Sequence, residues 1–293
     1  MTATRLLLAA LLFGPGARVT AQTTAGIVVG TTPELPSRGT VAWLRVASDS
    51  AARGDTLLSV TGEAGGEPLH FEPRRVGGFR ALLPLPLEGG DSLTVELWLE
   101  RAAHTDTVMM LVPVAQETYP RERLTVAPRM AQPDSAAQAR TDREVARARG
   151  VGQASHGTPA LWVGPFRLPR PSRITSRFGA AREFNGEITS RHLGTDFAGR
   201  VGAPVTAPAR GVVALVADFY LAGHALYLDH GGGLVTGYFH LSRTVVAPGD
   251  TVLPGQKIGE VGRTGRVTGP HLHWIARYGA INVDAMSLVE LPW

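Results

Sequence analysis

Six of the nine histidines in this chain fall between His192 and His273. Two of them, His271 and His273 in the segment TGPHLHW, are separated by one leucine after a Gly-Pro turn. If that segment is a strand, the two imidazoles share a face, roughly 6.5–7 Å apart along the chain, while Leu272 and Trp274 face the other way. One ring can then bind a metal while the other reaches a ligand on that metal. A second pair, His192 and Asp196 in RHLGTDF, brackets Gly194. A spacing of four would put both side chains on one face of a helix, but Gly194, Thr195 and the β-rich sequence that follows predict a loop entering a strand. There glycine lets the backbone turn so that the two side chains converge. In GYFHLS, His240 follows Tyr238 by two, which predicts that they share a strand face.

The chemistry such a set can do is metal-assisted hydrolysis. A catalytic zinc typically takes three protein ligands and keeps a fourth position for water. His192, Asp196 and one histidine of the His271–His273 pair supply two nitrogens and a carboxylate. A site of that kind lowers the pKa of a bound water to about 7. His240 and the other histidine of the pair are then available for proton transfer or for holding a developing oxyanion. An unperturbed imidazole pKa of about 6.5 suits either task. Spacing alone leaves open which of the two is the ligand. The chain has no cysteine, which excludes a disulfide framework, a thiolate metal site and a cysteine nucleophile, and favours an open site over a closed structural one.

The elements that must position these residues read as mostly β. Hydrophobic residues make up 44% and charged residues 18%, a globular composition, and the 35 glycines and 21 prolines favour short strands joined by tight turns. From about residue 22 to 115, runs such as Thr40–Ala47, Thr56–Gly62, Ser92–Glu100 and Asp106–Val114 alternate with Gly, Pro, Asp and Ser clusters, predicting an immunoglobulin-like β-sandwich. Residues 116–160 read as a helical connector, with a helix over Gln132–Gly150 closed by Gly150 and bearing Arg140, Arg143, Arg147 and Arg149 on a solvated face. Residues 161–293 read as an antiparallel, Gly-punctuated β domain that contains the histidine cluster.

That last stretch carries a family resemblance. The runs SRFG…RHLGTDF, GAPVTAPARGVV, LDHGGGLVTGYFHLS and VVAPGDTVLPGQKIGEVGRTGRVTGPHLHW, in unbroken order over about residues 160–290, resemble the lysostaphin-type (LytM) zinc endopeptidases that cleave peptidoglycan cross-links. The resemblance implies the duplicated-hybrid-motif fold and one zinc ion per chain. It also implies His192, Asp196 and His273 as the metal ligands, with His240 and His271 as the catalytic pair. Departures are confined to GAPV at Gly202–Val205, where the family usually has GTPV, and to Ala285, where it often has proline after Val-Asp. A likeness of Pro248–Gly259 to lipoyl and biotinyl carrier hairpins reflects shared architecture, since Lys257 is not at a hairpin tip.

Residues 1–21 read as an export signal, with Arg5, the apolar run Leu6–Phe13 and small residues at Val19–Ala21. Eight apolar residues are too few to span a bilayer, so cleavage is expected to leave an exported protein with no membrane span, periplasmic or extracellular. Removing Arg5 and Arg18 from 29 basic residues leaves 27 against 25 acidic ones, a net +2 that argues against nucleic acid as a partner. The expected partner is peptidoglycan: its peptide stems and cross-links, with the direct diaminopimelate type favoured because no wall-targeting module follows the peptidase. The alternative is a cell-wall-binding or regulatory protein that keeps the fold without hydrolysis. His70, His104, His224 and His230 read as surface or structural, and Tyr238 as either a packing residue or a substrate contact.

Overall fold

Short apolar strands punctuated by turn residues build two units, residues 1–117 and residues 118–291, in a computed structural model that describes residues 6–9, 22–24, 26–48, 56–125, 133–184 and 187–293. The first unit is a β-sandwich. One five-stranded sheet runs in the order Leu6–Ala9, Thr105–Pro113, Ser92–Arg101, Leu57–Ala64, Glu67–Leu69. The other runs Gln22–Thr24, Ile27–Thr32, Val41–Ser48, Phe79–Pro84, Glu72–Pro73. Alternation decides which side chains face inward: along Ser92–Arg101, Leu93, Val95, Leu97 and Leu99 are buried. They meet Leu44 and Val46 of the opposite sheet in one core, where each aliphatic side chain taken out of water contributes about 1.5–3 kcal/mol. His70 and His104 are both exposed. The expected export signal lies outside the described residues, apart from Leu6–Ala9, which pairs in parallel with Thr105–Pro113. Among the described residues no helix is long and apolar enough to cross a membrane.

The second unit is organised around a ten-stranded sheet. Its main path is Ile174–Ser176, Thr195–Ala198, His271–Tyr278, Leu234–Thr244, Gly223–Gly231, Gly211–Phe219, Thr251–Val252. All of these neighbours are antiparallel. A separate three-stranded sheet of Arg121–Leu124, Ala181–Phe184 and Glu187–Arg191 begins with a parallel pair. Phe197, Tyr238, Leu272 and Trp274 are fully buried within this unit.

One long helix, Ser135–Ser155, packs on the strands Gly211–Phe219, Gly223–Gly231 and Leu234–Thr244 through a core that includes Ala148, Tyr227, Val235 and Ile275. Asp134 caps it by accepting from the Ala137 amide at 2.8 Å. The helix does not stop at Gly150 as the sequence predicts; it continues for five residues to Ser155. Gly150 has no atom within 4 Å of where a Cβ would stand, so it neither caps the helix nor accommodates a neighbour. Gly152 does accommodate one: a Cβ there would lie 2.0 Å from the Gly279 carbonyl oxygen. The pair makes a test. Gly150→Ala is expected to stabilise the protein by up to about 1 kcal/mol, the ordinary helix-interior gain. Gly152→Ala is expected to destabilise it by about 1–3 kcal/mol through overpacking against backbone. Urea midpoints of the two variants check this.

Candidate metal centre

Three strands and one turn bring the predicted residues together. Asp196 sits directly opposite His273 across the antiparallel pair of Thr195–Ala198 and His271–Tyr278, so both side chains leave the sheet on one face. His271 lies two residues earlier and shares that face. His192 enters from the turn after Glu187–Arg191, its amide donating to the Ala180 carbonyl and its own carbonyl accepting from the Gly179 amide. Gly194 makes the turn possible by close approach, since a Cβ there would lie 2.8 Å from the His273 ring and 2.6 Å from the Trp274 carbonyl oxygen.

The three donor atoms converge. His273 Nδ1 is 2.6 Å from Asp196 Oδ1, His192 Nε2 is 3.1 Å from the same oxygen, and the two ring nitrogens are 2.9 Å apart. Among the described residues this is the group of His, Asp or Glu whose ligand atoms all lie within 4.8 Å of one another. The donor set fits a small divalent cation. His192 Nδ1 donates to the Arg177 carbonyl at 2.8 Å, which leaves Nε2 with its lone pair directed at the cluster. His273 is buried and its pKa is pushed down to about 4 by that burial, with Asp196 opposing, so it stands neutral and ready to ligate. Burial acts to raise the Asp196 carboxyl, but His273 and His192 outweigh it and hold the group well below the usual carboxylate range. Two nitrogens, one carboxylate oxygen and no thiolate suit zinc with a position left open.

A supporting shell that the sequence analysis did not identify surrounds these atoms. Arg182 Nη2 donates to Asp196 Oδ2 at 2.9 Å, occupying the carboxylate oxygen that does not face the histidines. Arg182 also pairs with Glu122 at 3.5 Å, and Glu122 accepts from the Ser176 hydroxyl at 2.7 Å. The Ser176 oxygen in turn lies 2.7 Å from His192 Nδ1. Glu122 lies within the stretch expected to be a connector, and only the parallel pairing of Arg121–Leu124 with Ala181–Phe184 brings it here.

His240 arrives by a different device. Phe239 pairs with His273, and simple alternation would therefore turn His240 to the opposite face of the sheet. Instead the register against Gly223–Gly231 slips between Tyr238 and Leu241, and His240 takes a left-handed φ of 61°. The bulge turns its ring toward the cluster, 4.9 Å from the His271 ring centroid and 5.8 Å from that of His273. Tyr238 accordingly does not share a face with His240. It pairs with Trp274, is fully buried and bonds the Thr236 hydroxyl at 2.8 Å, a packing residue out of reach of any substrate. His240 Nδ1 donates to the Thr264 carbonyl at 2.8 Å and His271 Nδ1 to the Gly269 carbonyl at 2.9 Å. Both rings therefore keep a lone pair on Nε2 when neutral, and His271 Nε2 lies 3.7 Å from Asp196. Burial, then the neighbouring His273 and His271, push the His240 pKa well down.

The remaining histidines of this region lie elsewhere. His224 pairs with Asp218 at 2.8 Å near the surface. His230 is fully buried, donating from Nδ1 to the Arg210 carbonyl and accepting at Nε2 from the Thr236 hydroxyl, both at 2.8 Å. Burial lowers its pKa from 6.5 to about 4, against the opposing Arg210 bond and Asp229. Above pH 6.5 the ring is neutral in both folded and unfolded chains; between 6.5 and 4 only the unfolded chain takes up the proton. Stability is thus expected to fall with pH across that window by roughly 3 kcal/mol from this group. Denaturant unfolding against pH checks it, with a flatter slope expected for His230→Gln.

Comparison with known proteins agrees with this geometry. Residues 190–285 match the profile described as Peptidase family M23. The chain is 44% identical over 118 residues to the peptidoglycan DD-endopeptidase ShyA of Vibrio cholerae serotype O1, a match covering 39% of this chain and 27% of that protein. It is 40% identical over 121 residues to the DD-carboxypeptidase/endopeptidase Mpg of Neisseria meningitidis serogroup B, covering 41% and 28%. The chain therefore spans less than a third of the length of these curated relatives. A crystal structure of a candidate peptidase M23 from Pseudomonas aeruginosa superposes with a TM-score of 0.66 at 24% identity, over 87% of this chain and 95% of that one, and shows the fold. His192, Asp196, His240, His271 and His273 all lie within residues 190–285, the segment that matches Peptidase family M23.

Proposed function

We propose that this protein is a zinc-dependent endopeptidase that hydrolyses peptide cross-links of bacterial peptidoglycan in the cell envelope. The observation that carries the reading is the convergence of three ligand atoms within 4.8 Å, with the rings of His240 and His271 beside them. The printed activities of the relatives, DD-endopeptidase and DD-carboxypeptidase/endopeptidase, support a bond between D-amino acids as the target. The export signal expected at residues 1–21 supports an envelope location.

In this reading His192 Nε2, Asp196 Oδ1 and His273 Nδ1 hold the zinc ion. When bound, zinc supplies Lewis acidity for attack on an amide. The chain's own residues do the rest. Arg182 and the Arg177 carbonyl fix the carboxylate and the His192 ring, which orients two of the three donors. His240 and His271, each anchored through Nδ1 to a backbone carbonyl, can accept a proton at Nε2. Once charged, that N–H can donate to the developing oxyanion or return the proton to the departing amine.

Purified protein lacking residues 1–21 is expected to release monomeric muropeptides from D,D-cross-linked sacculi, to stop when a chelator removes the metal, and to resume on adding zinc. Retention on sacculi with no release, at full zinc loading, would instead favour the binding or regulatory role.

A further inference from the structure

Along His271–Tyr278 the face that carries His271 and His273 continues through Ile275 to Arg277. Arg277 sits on an interior strand, paired with Val235 on one side and Asn282 on the other, and is only 9% exposed. Its Nε and Nη1 are buried without a hydrogen-bond partner. The side chain lines a cavity of about 400 Å³ whose wall also includes His240 and His273, between the long helix and the sheet. Glu144 is the one acid on that wall. Both its oxygens are engaged, one by Arg140 Nε at 2.6 Å and the other by the Tyr220 amide at 2.7 Å. Arg149, of the same sign, acts on Arg277 and offers it no counter-charge. A buried guanidinium with two unpaired nitrogens, beside an acid whose oxygens are already engaged, is destabilising unless something outside the chain supplies the acceptor.

We propose that this cavity is an anion subsite in which Arg277 receives a carboxylate of the peptide substrate. The planar fork of donors matches a carboxylate in two parallel bonds. Arg277 stands four positions after His273, roughly 13 Å along the strand, and an arginine side chain shortens that span. The carboxylate received there belongs to a residue about two to three positions from the bond that is cut. The subsite rests on the peptidase reading for the identity of its ligand, but its occupancy does not depend on turnover.

The test uses the zinc-loaded full chain and an uncross-linked stem peptide, which offers no cross-link to cut, compared with its carboxamide form. The wild type is expected to bind the acid about tenfold more tightly than the carboxamide. Arg277→Met is expected to bind both at the carboxamide affinity and to resist urea at least as well as the wild type, because an unpaired buried charge has been removed. Arg277→Lys, which keeps the cation but not the fork, is expected to show an intermediate preference. Equal binding of acid and carboxamide by the wild type would overturn the inference, as would a preference that survives Arg277→Met. Loss of stability in Arg277→Met with unchanged discrimination in Arg277→Lys would assign the residue to the fold instead. A wild type that discriminates the stem peptides but cuts no cross-linked substrate would uphold the subsite and overturn the peptidase reading.

Discussion

An Asp196→Asn variant is expected to keep its fold, lose its zinc, and lose peptidase activity by roughly three orders of magnitude or more. The substitution is chosen for what it preserves. Asparagine has the shape of aspartate, and its carbonyl oxygen can still accept from Arg182, whose bond to Oδ2 is 2.9 Å in the native protein. It removes the negative charge that faces His273 Nδ1 at 2.6 Å and His192 Nε2 at 3.1 Å. The Asp196 carboxyl is held well below the usual range by His273 and His192 in spite of burial, so the group offers a carboxylate to the metal. Replacing it by an amide leaves two nitrogens to hold the metal and removes the charge that offsets a divalent cation. Lewis-acid stabilisation supplies several kcal/mol, and a loss of about 4 kcal/mol corresponds to the factor given. Metal content by atomic emission and muropeptide release read the two effects separately. Retained stoichiometric zinc with lost activity would move Asp196 out of the ligand set.

How much of this was legible beforehand depends on whether a feature was local. The strand Ser92–Arg101 and its inward leucines follow from alternation, and the predicted range Ser92–Glu100 ends one residue short of it. His271 and His273 share a face because they are two positions apart, which is equally local. The placement of His240 was not local. Alternation put it with Tyr238, and a single left-handed residue at φ 61° reversed the outcome. Histidine adopts that conformation more often than most residues but far less readily than glycine, too weak a signal to place one bulge. Gly150 has the sequence signature of a helix stop, yet the helix runs on to Ser155, and Gly152 is the glycine the fold requires, for its close approach to Gly279. Arg182, Glu122 and Ser176 gave no pattern at all: 54 residues separate Glu122 from Ser176, and a parallel strand pair joins their neighbourhoods. Arg277 was invisible for a related reason. A lone arginine in an apolar strand becomes informative only when the absence of partners around it is seen.

The bulge at His240 leads to the second large effect. His240→Asn is expected to lower kcat by about 10²–10⁴ while zinc content and urea midpoint stay near those of the wild type. Asparagine tolerates the left-handed backbone that the bulge requires, so a loss of rate cannot be put down to strain at φ 61°. The ring it removes is not among the three that converge, its centroid standing 5.8 Å from that of His273, and the metal has no reason to leave. His271→Ala is expected to behave alike, since that ring is anchored through Nδ1 to the Gly269 carbonyl and is likewise outside the three. The double variant carries the argument furthest. If His240 and His271 serve one proton transfer as a unit, the pair of substitutions costs little more than either alone; if they act on separate steps, the two losses multiply. The rings lie 4.9 Å apart, each with a single free nitrogen, a geometry in which one moving proton can be handled by both. We therefore expect the non-additive result, measured as kcat on a D,D-cross-linked muropeptide at saturating zinc, and a multiplicative loss would split the two histidines between attack and departure.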